Sequence, residues 1–272
     1  MAPSDKTYSV PIYTTSNGCP VSNPNAMIKM GKVGPALIQD HHLIDLLAHF
    51  DRERIPERVA HAKGSGAHGY LEVTEDVSDI VSADFLNGIG KKTTLFTRFS
   101  TIGGEKGSAD SARDPRGFAI KFYTQEGIID WVNINSPVFF IRNGVQFPFL
   151  VHTQKARDPQ TNLKDVNMYW DFLCNNPESV HNTMIIFSDR GTPFSYRHMH
   201  GFSTHTFKWV NKEGQFHYVQ IHLLTDQGIK NLTNAEAHAL QSDDPDHAGR
   251  DLYEAHLVYS MLPRLGLTKI FH

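Results

Sequence analysis

The fold is decided by a short stretch, Leu95-Phe-Thr-Arg-Phe-Ser100, in which two sets of side chains alternate. Leu95, Thr97 and Phe99 fall on one side of an extended chain, and the residues between them fall on the other. The stretch Phe118-Ala-Ile-Lys-Phe-Tyr123 alternates in the same way. A period of two is typical of a β-strand with one buried face, so both stretches predict strands of a half-buried sheet.

Further elements are predicted on both sides of these strands. Strand patterns lie at 183–188, 206–211 and 216–224. Helical spacing of apolar residues lies at 38–50, 163–174 and 234–241. Pro56 ends the first of these helices, and Thr233 is an N-cap for the last. Strands first and helices inserted later predict an α+β protein built on an antiparallel barrel or sandwich.

Composition excludes several classes of protein. The 272 residues suffice for one large all-β unit or about two smaller domains. Lys and Arg number 26 and Asp and Glu 29, so the charge of −3 excludes the basic surface of a nucleic-acid-binding protein. No apolar run reaches the roughly 18 residues of a membrane span, and residues 1–10 hold no secretory apolar core. Two cysteines, Cys19 and Cys174, indicate a reducing compartment.

Residues 1–35 predict an extended N-terminal arm, because turn dipeptides occur there without any helical or strand period.

Two other motifs, one rich in glycine and one rich in histidine, do not support a dinucleotide site or a zinc site. The G-x-G-x-x-G motif of residues 64–69 leads into a strand, whereas a dinucleotide site opens a helix, so a flexible backbone for close approach is favoured. The histidines between 198 and 205 lack nearby Cys or carboxylate ligands, which favours turn or surface positions over a zinc site.

The chemistry is expected around His61, which precedes the glycine-rich stretch and therefore has an irregular backbone that can be aimed. A lone histidine is more often a hydrogen-bonded structural residue, so its neighbours matter. Arg98 and Ser100 share one strand face, and a buried arginine there requires an anion. With Arg58 and the amide of Asn135 beside a run of aromatic residues, the set suits a flat aromatic cofactor with carboxylates and a proton shuttle above it.

These residues lie in motifs that resemble the haem catalases. The matching stretches are Arg54-Ile-Pro-Glu-Arg-Val-Ala-His-Ala-Lys-Gly64, Arg98-Phe-Ser-Thr101, Gly107-Ser-Ala-Asp110, Arg113-Asp-Pro-Arg-Gly-Phe-Ala119, Asn135-Ser-Pro137, Phe139-Phe-Ile-Arg142, Phe187-Ser-Asp-Arg-Gly-Thr-Pro193, Arg197-His-Met199, His205-Thr-Phe-Lys208 and Thr225-Asp-Gln-Gly-Ile-Lys230. They keep the family's order over about 36–255. The arm and the first helix resemble the fungal and yeast branch most.

The resemblance implies a catalase-like antiparallel barrel with inserted helices over a b-type haem, usually in a homotetramer, that converts hydrogen peroxide to water and oxygen. On this resemblance His61 is the distal histidine that moves a proton between the peroxide oxygens, and Asn135 is the distal amide that orients the peroxide. Arg58 and Arg98 match the arginines that hold the haem propionates.

The resemblance also implies supporting roles. Ser100 matches a serine that supports the distal histidine, and Phe147 matches the phenylalanine over the haem face. The family's site for NADPH is partly matched by His181, Ser188 and Arg190. A histidine and a leucine stand at two further positions of that site, where asparagine and lysine are common.

The end of the chain departs from the family. The R-x-F-x-Y-x-D motif that carries the family's tyrosine ligand to the iron is not found, so the metal ligand is unknown. Residues 256–272 match nothing expected of a catalase. We therefore expect an arm at 1–35, a partial catalase core at 36–255 and a non-family tail at 256–272. The barrel is expected to be incomplete, and the isolated chain is expected to bind haem poorly and to have little activity.

Two other functions stay open at this point. One is a haem peroxidase or hydroperoxide enzyme on a minimal catalase fold, which a preference for organic peroxides would favour. The other is a non-enzymatic remnant that associates with intact catalase subunits through its arm and open edges. A peroxisomal or cytoplasmic location is expected, because there is no secretory signal and the fungal members that the chain resembles are commonly found there. The chain ends Lys-Ile-Phe-His272, so the S-K-L peroxisome address is missing from it.

Overall fold

The computed structural model describes residues 12–259 and 265–267, and the chain divides into two compact units, Met1–Pro56 and Glu57–His272. The first unit contains helix α1 (His41–Arg52). The carboxylate of Asp40 caps it by accepting the N–H of Leu43 at 3.0 Å and also accepts the N–H of Ile28 at 2.7 Å. These backbone hydrogen bonds lower the pKa of Asp40. The helix predicted at 38–50 is confirmed, displaced by two or three residues, because the cap sits at Asp40.

The second unit is built on four strands that follow one another along the chain and pair antiparallel in that order. They are β1 (Gly64–Glu72), β2 (Lys92–Thr101), β3 (Arg116–Thr124) and β4 (Gly127–Ile134). The alternation predicted for 95–100 and 118–123 is therefore confirmed. One sheet face carries the core, in which Phe99 packs on Phe118 with ring centroids 4.6 Å apart and Phe122 packs on Trp131.

Shorter strands extend this sheet and form a second, smaller one. They are β5 (Gly201–Ser203), β6 (Phe207–Val210), β7 (Phe216–Val219), β8 (His222–Thr225) and β9 (Leu265–Leu267). The large sheet has the order β1-β2-β3-β4-β5-β8-β9, and β6 pairs only with β7 among the described residues. Within that part of the chain, β1 and β9 are the two edges, so the curled sheet is an incomplete barrel, as expected.

Helices lie after β4 and after β8. They are α2 (Phe147–Lys155), α3 (Val166–Asn175), α4 (Val180–Phe187), α5 (Asn234–Asp243) and α6 (His247–Tyr259). The cap predicted at Thr233 is confirmed, because its hydroxyl accepts the N–H of Glu236 in a reciprocal capping box. The α+β class is confirmed. No helix in the described ranges is both long and apolar enough to cross a bilayer.

Three local predictions are wrong. The strand predicted at 183–188 is helix α4, because its continuous apolar run fits either element. The strand predicted at 216–224 is two strands, β7 and β8, which belong to different sheets. The stretch 64–69, favoured as flexible backbone, is regular strand in β1, although close approach is correct: a Cβ on Gly64 would lie 2.3 Å from the carbonyl of Phe99.

Candidate functional site

His61 lies three residues before the start of β1, with its backbone in the left-handed region at φ 57°. This conformation is unfavourable for a residue with a Cβ, so neighbouring contacts have to hold it. Its N–H donates to the carbonyl of Ile102 at 3.1 Å, and its own carbonyl accepts from Nη2 of Arg98 at 2.8 Å. Both backbone groups of His61 are therefore fixed by the end of β2 and the loop that follows it.

The imidazole of His61 lies over the sheet at Gly117. Its Nδ1 is 2.8 Å from Oγ of Ser100, a residue that is almost fully buried in β2. Ser100 pairs with Gly117 of β3, and a Cβ built on that glycine would lie 2.6 Å from Nδ1 of His61. The ring thus occupies the space that any larger residue at 117 would take.

The charge state of His61 follows from its surroundings. Burial lowers its pKa to about 4, and the nearby cations Arg98, Arg58 and Lys155 add to the effect. The imidazole is therefore neutral at neutral pH. A neutral imidazole has one nitrogen that donates and one that accepts, so the ring can take up a proton from a bound molecule.

Arg58 and Arg98 form the cationic part of the site. Burial lowers the pKa of Arg98, and the like charge of Arg58 lowers it further. Among the residues that the structure describes, no carboxylate forms an ion pair with either guanidinium; Arg98 donates instead to the carbonyl of His61. Arg58 is exposed and Arg98 is half-buried, so both guanidinium groups are open to an anion from solution, which would offset their mutual repulsion.

A cleft of about 830 Å³, part of it open to solvent, lies beside the loop after β2. Asp114 lines it, and its carboxylate accepts the N–H groups of Ile102 at 2.6 Å and Gly103 at 2.7 Å. Burial raises the pKa of Asp114, against the opposing influence of Arg116 and these N–H groups. Asp114 thus fixes the same loop that accepts the N–H of His61. Gln154 and Phe140 line the cleft as well.

Asn135, at the end of β4, has both ends of its amide engaged by main chain. Its Oδ1 accepts the N–H of Arg116 at 2.8 Å, and its Nδ2 donates to the carbonyl of Arg190 at 3.0 Å. Together with Arg190, His198 and His200 it lines a second, smaller cavity. The structure therefore brings His61, Arg98 and Ser100 together by direct contact and gives Asn135 different neighbours.

The remaining predicted residues lie on the surface. Phe147 begins α2 and is partly exposed. His181 lies in α4, and Ser188 and Arg190 follow that helix; all three are exposed. Ser188 donates its hydroxyl to the carbonyl of Ile185 at 2.6 Å. Burial lowers the pKa of His200, and the charge of nearby Arg190 lowers it further.

Sequence reasoning missed two features of the site. Gly117 makes room for the imidazole, and a glycine inside a strand pattern was the available signal for such close approach. Lys63, two residues after His61, reaches away from the site to Asp110 and Asp246 at 3.3 and 2.7 Å. No pattern of spacing signals that contact, because its partners are far away in sequence. Across the described ranges, no three His, Cys, Asp or Glu side chains are grouped closely enough to hold a metal ion.

Comparisons with known proteins agree on one family. The family model described as Catalase matches residues 14–258. The chain is 62% identical to a peroxisomal catalase of Candida albicans over 244 residues, which are 90% of this chain and 50% of that protein. It is 60% identical to a catalase of Methanosarcina barkeri over 90% of this chain and 48% of that one. The chain thus spans about half the length of these curated relatives.

Solved structures give the same result. The fold matches a crystal structure of a fungal catalase with a TM-score of 0.86 at 55% identity, over 93% of this chain and 52% of that one. It matches catalase A from Saccharomyces cerevisiae with a TM-score of 0.86 at 56% identity, over 92% of this chain and 51% of that one. The chain therefore belongs to the catalase family.

Proposed function

We propose that this protein acts in the decomposition of hydrogen peroxide to water and oxygen at a haem. The single observation that carries the proposal is the placement of His61, a neutral imidazole fixed over Gly117 by Ser100, beside two arginines that have no described carboxylate partner. The catalase names of the relatives support the same chemistry.

The residues on this side of the sheet fit a haem. Uncompensated guanidinium groups at Arg58 and Arg98 suit the two carboxylates of its propionates, which arginine grips through paired N–H donors. Phe147 is the residue we assign to its ring face. When bound, the haem supplies an iron that exchanges electrons with the peroxide. The ligand below the iron is not assigned to any residue of this chain.

His61 moves the proton in this proposal. With Nδ1–H directed at Oγ of Ser100, Nε2 presents its lone pair to the substrate. Nε2 accepts the proton from one peroxide oxygen and returns it to the other as the O–O bond breaks, so the histidine ends the step unchanged. Ser100 and the clamped backbone hold the ring at one angle, which limits the proton's path to this nitrogen.

Asn135 is the residue proposed to orient the peroxide. In this role its amide has to exchange a main-chain bond to Arg116 or Arg190 for one to the substrate. Replacing Asn135 by alanine tests the assignment. A lower rate of peroxide loss at unchanged haem content and unchanged stability supports it, and an unchanged rate removes it.

NADPH is the second ligand we propose, at His181, Ser188 and Arg190. Arg190 is the cation that suits a phosphate. It lies close enough to His200 for its charge to lower the pKa of that histidine. Binding is tested by the change in NADPH fluorescence on titration with the protein. Loss of the change in Arg190→Gln, with no loss in the exposed control Arg157→Gln, is the expected result.

A homotetramer and a peroxisomal or cytoplasmic location complete the proposal. The location rests on relatives that are named peroxisomal catalases, and the homotetramer rests on the resemblance to the haem catalases. Light scattering on the purified chain measures its oligomeric mass, and fluorescence microscopy of a tagged copy shows its compartment.

The central experiment supplies haem to the full chain and follows both its absorption spectrum and peroxide loss. We expect only weak haem retention through gel filtration, so peroxide loss is measured per bound haem. That rate should fall at least about 100-fold in His61→Asn, because general acid–base catalysis contributes roughly that much. Asparagine suits the left-handed backbone at this position, so the variant keeps the fold. Equal rates in the two proteins would remove His61 from the mechanism.

A further inference from the structure

One row of residues crosses the sheet beneath the imidazole of His61. Gly64 pairs with Ser100, Ser100 with Gly117, and Gly117 with Ile134, on β1 to β4 in turn. Residues directly opposite on neighbouring antiparallel strands share a face of the sheet. Ile134 is therefore the next side chain on the face where the imidazole lies.

The distance along this row is short. Directly opposite residues have Cβ atoms about 4.5–5.5 Å apart, and the imidazole fills the position where a Cβ of Gly117 would lie. Ile134 is buried, at 3% exposure. Its branched apolar side chain thus forms the wall beside the ring. The row continues to Phe202 of β5, which is also buried, so the wall stays apolar.

The two asparagines that flank Ile134 use their amides elsewhere. Nδ2 of Asn133 donates to the carbonyl of Phe118 at 3.0 Å, and the amide of Asn135 is bonded to main chain at both ends. Among the described residues, no side chain forms a hydrogen bond with Nε2 of His61, whose Nδ1 faces Ser100. The imidazole therefore offers one polar atom to a ligand, next to an apolar wall.

We propose that Ile134 sets the substrate preference of this site toward small alkyl hydroperoxides over hydrogen peroxide. The inference deepens the proposed function, since it rests on peroxide chemistry at His61. An alkyl hydroperoxide ROOH has one O–H, which bonds to Nε2, and an alkyl group, which packs on Ile134. Hydrogen peroxide has a second O–H, which would meet the apolar wall without a partner as long as the Asn135 amide keeps its two main-chain bonds, and an unpaired buried polar group is costly.

The chemical step assigned to the site is a proton transfer. The O–H bond of ROOH breaks, its electron pair stays on the oxygen as ROO⁻, and the proton forms a new N–H bond on Nε2 of His61. No oxidant or reductant is consumed in this step. Arg58, Arg98 and Lys155, whose charges reach the ring, attract the anion ROO⁻ and at the same time disfavour the imidazolium, so they favour return of the proton from Nε2.

The test compares ethyl hydroperoxide with hydrogen peroxide on the haem-free full chain, where neither is turned over. The imidazole signals of His61 are followed by NMR while each peroxide is added. We expect half-saturation by ethyl hydroperoxide at about tenfold lower concentration, as is typical for one small alkyl group in an apolar pocket. Ile134→Asn should reverse the order, and Ile134→Val should keep it. Equal concentrations for the two peroxides in the wild-type chain would overturn the inference.

A second variant guards against misfolding, because asparagine at a buried strand position is destabilising. Ile134→Thr keeps the branched shape and adds one hydroxyl, so it should move the ratio in the same direction by a smaller factor; no movement in either variant overturns the inference. Peroxide loss by the haem-supplied chain separates this from the proposed function. If neither peroxide is consumed while the NMR order holds, the proposed function fails and the binding preference stands.

Discussion

His61 and Lys63 are two residues apart, yet their side chains enter opposite kinds of surroundings. Around His61 the cations Arg58 and Arg98 have no described acidic partner, and the backbone is held in the left-handed region. Lys63 instead meets Asp110 and Asp246, and its ammonium also donates to two backbone carbonyls.

Asp110 completes the second set of contacts. Its carboxylate accepts the N–H of Gly249 at 3.1 Å and lies 3.4 Å from the hydroxyl of Tyr196. The charges of Lys63 and Asp110 are paired within the protein. The cations near His61 have no described ion-pair partner and can bind an anionic ligand. The difference indicates that the Lys63–Asp110 cluster stabilises the fold and that the His61 site gives up stability in exchange for binding.

The largest effect is expected from breaking the paired side. Asp110→Ala leaves Lys63 largely buried with fewer acceptors, because the Lys63 side chain is only 15% exposed. We expect the free energy of unfolding to fall by about 3–5 kcal/mol, as for other buried pairs that lose one partner. Urea unfolding followed by circular dichroism measures it. Glu72→Ala, which removes a more exposed pair with Lys92, is the control and should change less than about 1 kcal/mol.

The next effect comes from the pH dependence of His61. Its pKa is about 4 in the folded chain and about 6.5 when unfolded, so the unfolded chain binds the proton first as pH falls. Stability is therefore complete above pH ~6.5, is lost on the way down to pH ~4, and falls by about 3 kcal/mol in all. The difference in unfolding free energy between wild type and His61→Asn isolates this contribution. A difference that stays constant across this pH range contradicts it.

Gly117→Ala is expected to disturb the His61 site and to leave the Lys63–Asp110 cluster intact. The new Cβ would lie 2.6 Å from Nδ1 of His61 and 2.5 Å from Oγ of Ser100, so the ring has to move. We expect peroxide loss by the haem-supplied chain to fall by roughly 100-fold, since a displacement of about 1 Å costs that much. Gly107→Ala, whose Cβ would enter open space, should keep its rate. Similar losses in both variants would mean that alanine acts by another route.

The smallest effect on stability is expected at Arg58. Replacing it by glutamine removes a like charge from beside Arg98, so the free energy of unfolding should rise slightly, by less than about 1 kcal/mol. Haem retention should fall at the same time, because one propionate loses its partner. Urea midpoints and the absorbance of bound haem measure the two quantities. A loss of stability would show that Arg58 has a partner within the protein and would weaken the contrast with Lys63.

How far the fold was predictable depended on the kind of pattern. Strict alternation in β2 and β3 identified both strands, because only a half-buried strand produces it. The apolar run that became α4 carries no such period, and the proline at the second position of α2 obscured that helix. Neither element could be assigned without knowing what packs against it.

The sequence identified residues of the site, but it did not reveal the strand register that decides which side chains face the imidazole. His61, Arg98 and Ser100 were named from sequence, and the structure joins them by hydrogen bonds. The place of Asn135 depends on which of two adjacent residues faces the ring, and a shift of one residue reverses a strand's faces. The register places Ile134 directly opposite Gly117, the glycine beneath the ring, and such a register is a property of two strands together.

The left-handed backbone at His61 limits which residue types can replace the histidine without loss of the fold. Glycine, asparagine and aspartate adopt that conformation at low cost, whereas branched and bulky residues do not. A library randomised at position 61 and selected only for folding should therefore be enriched in those three small residues. Selection for peroxide removal should recover histidine alone, so the two selections would separate what the chain tolerates from what its chemistry demands.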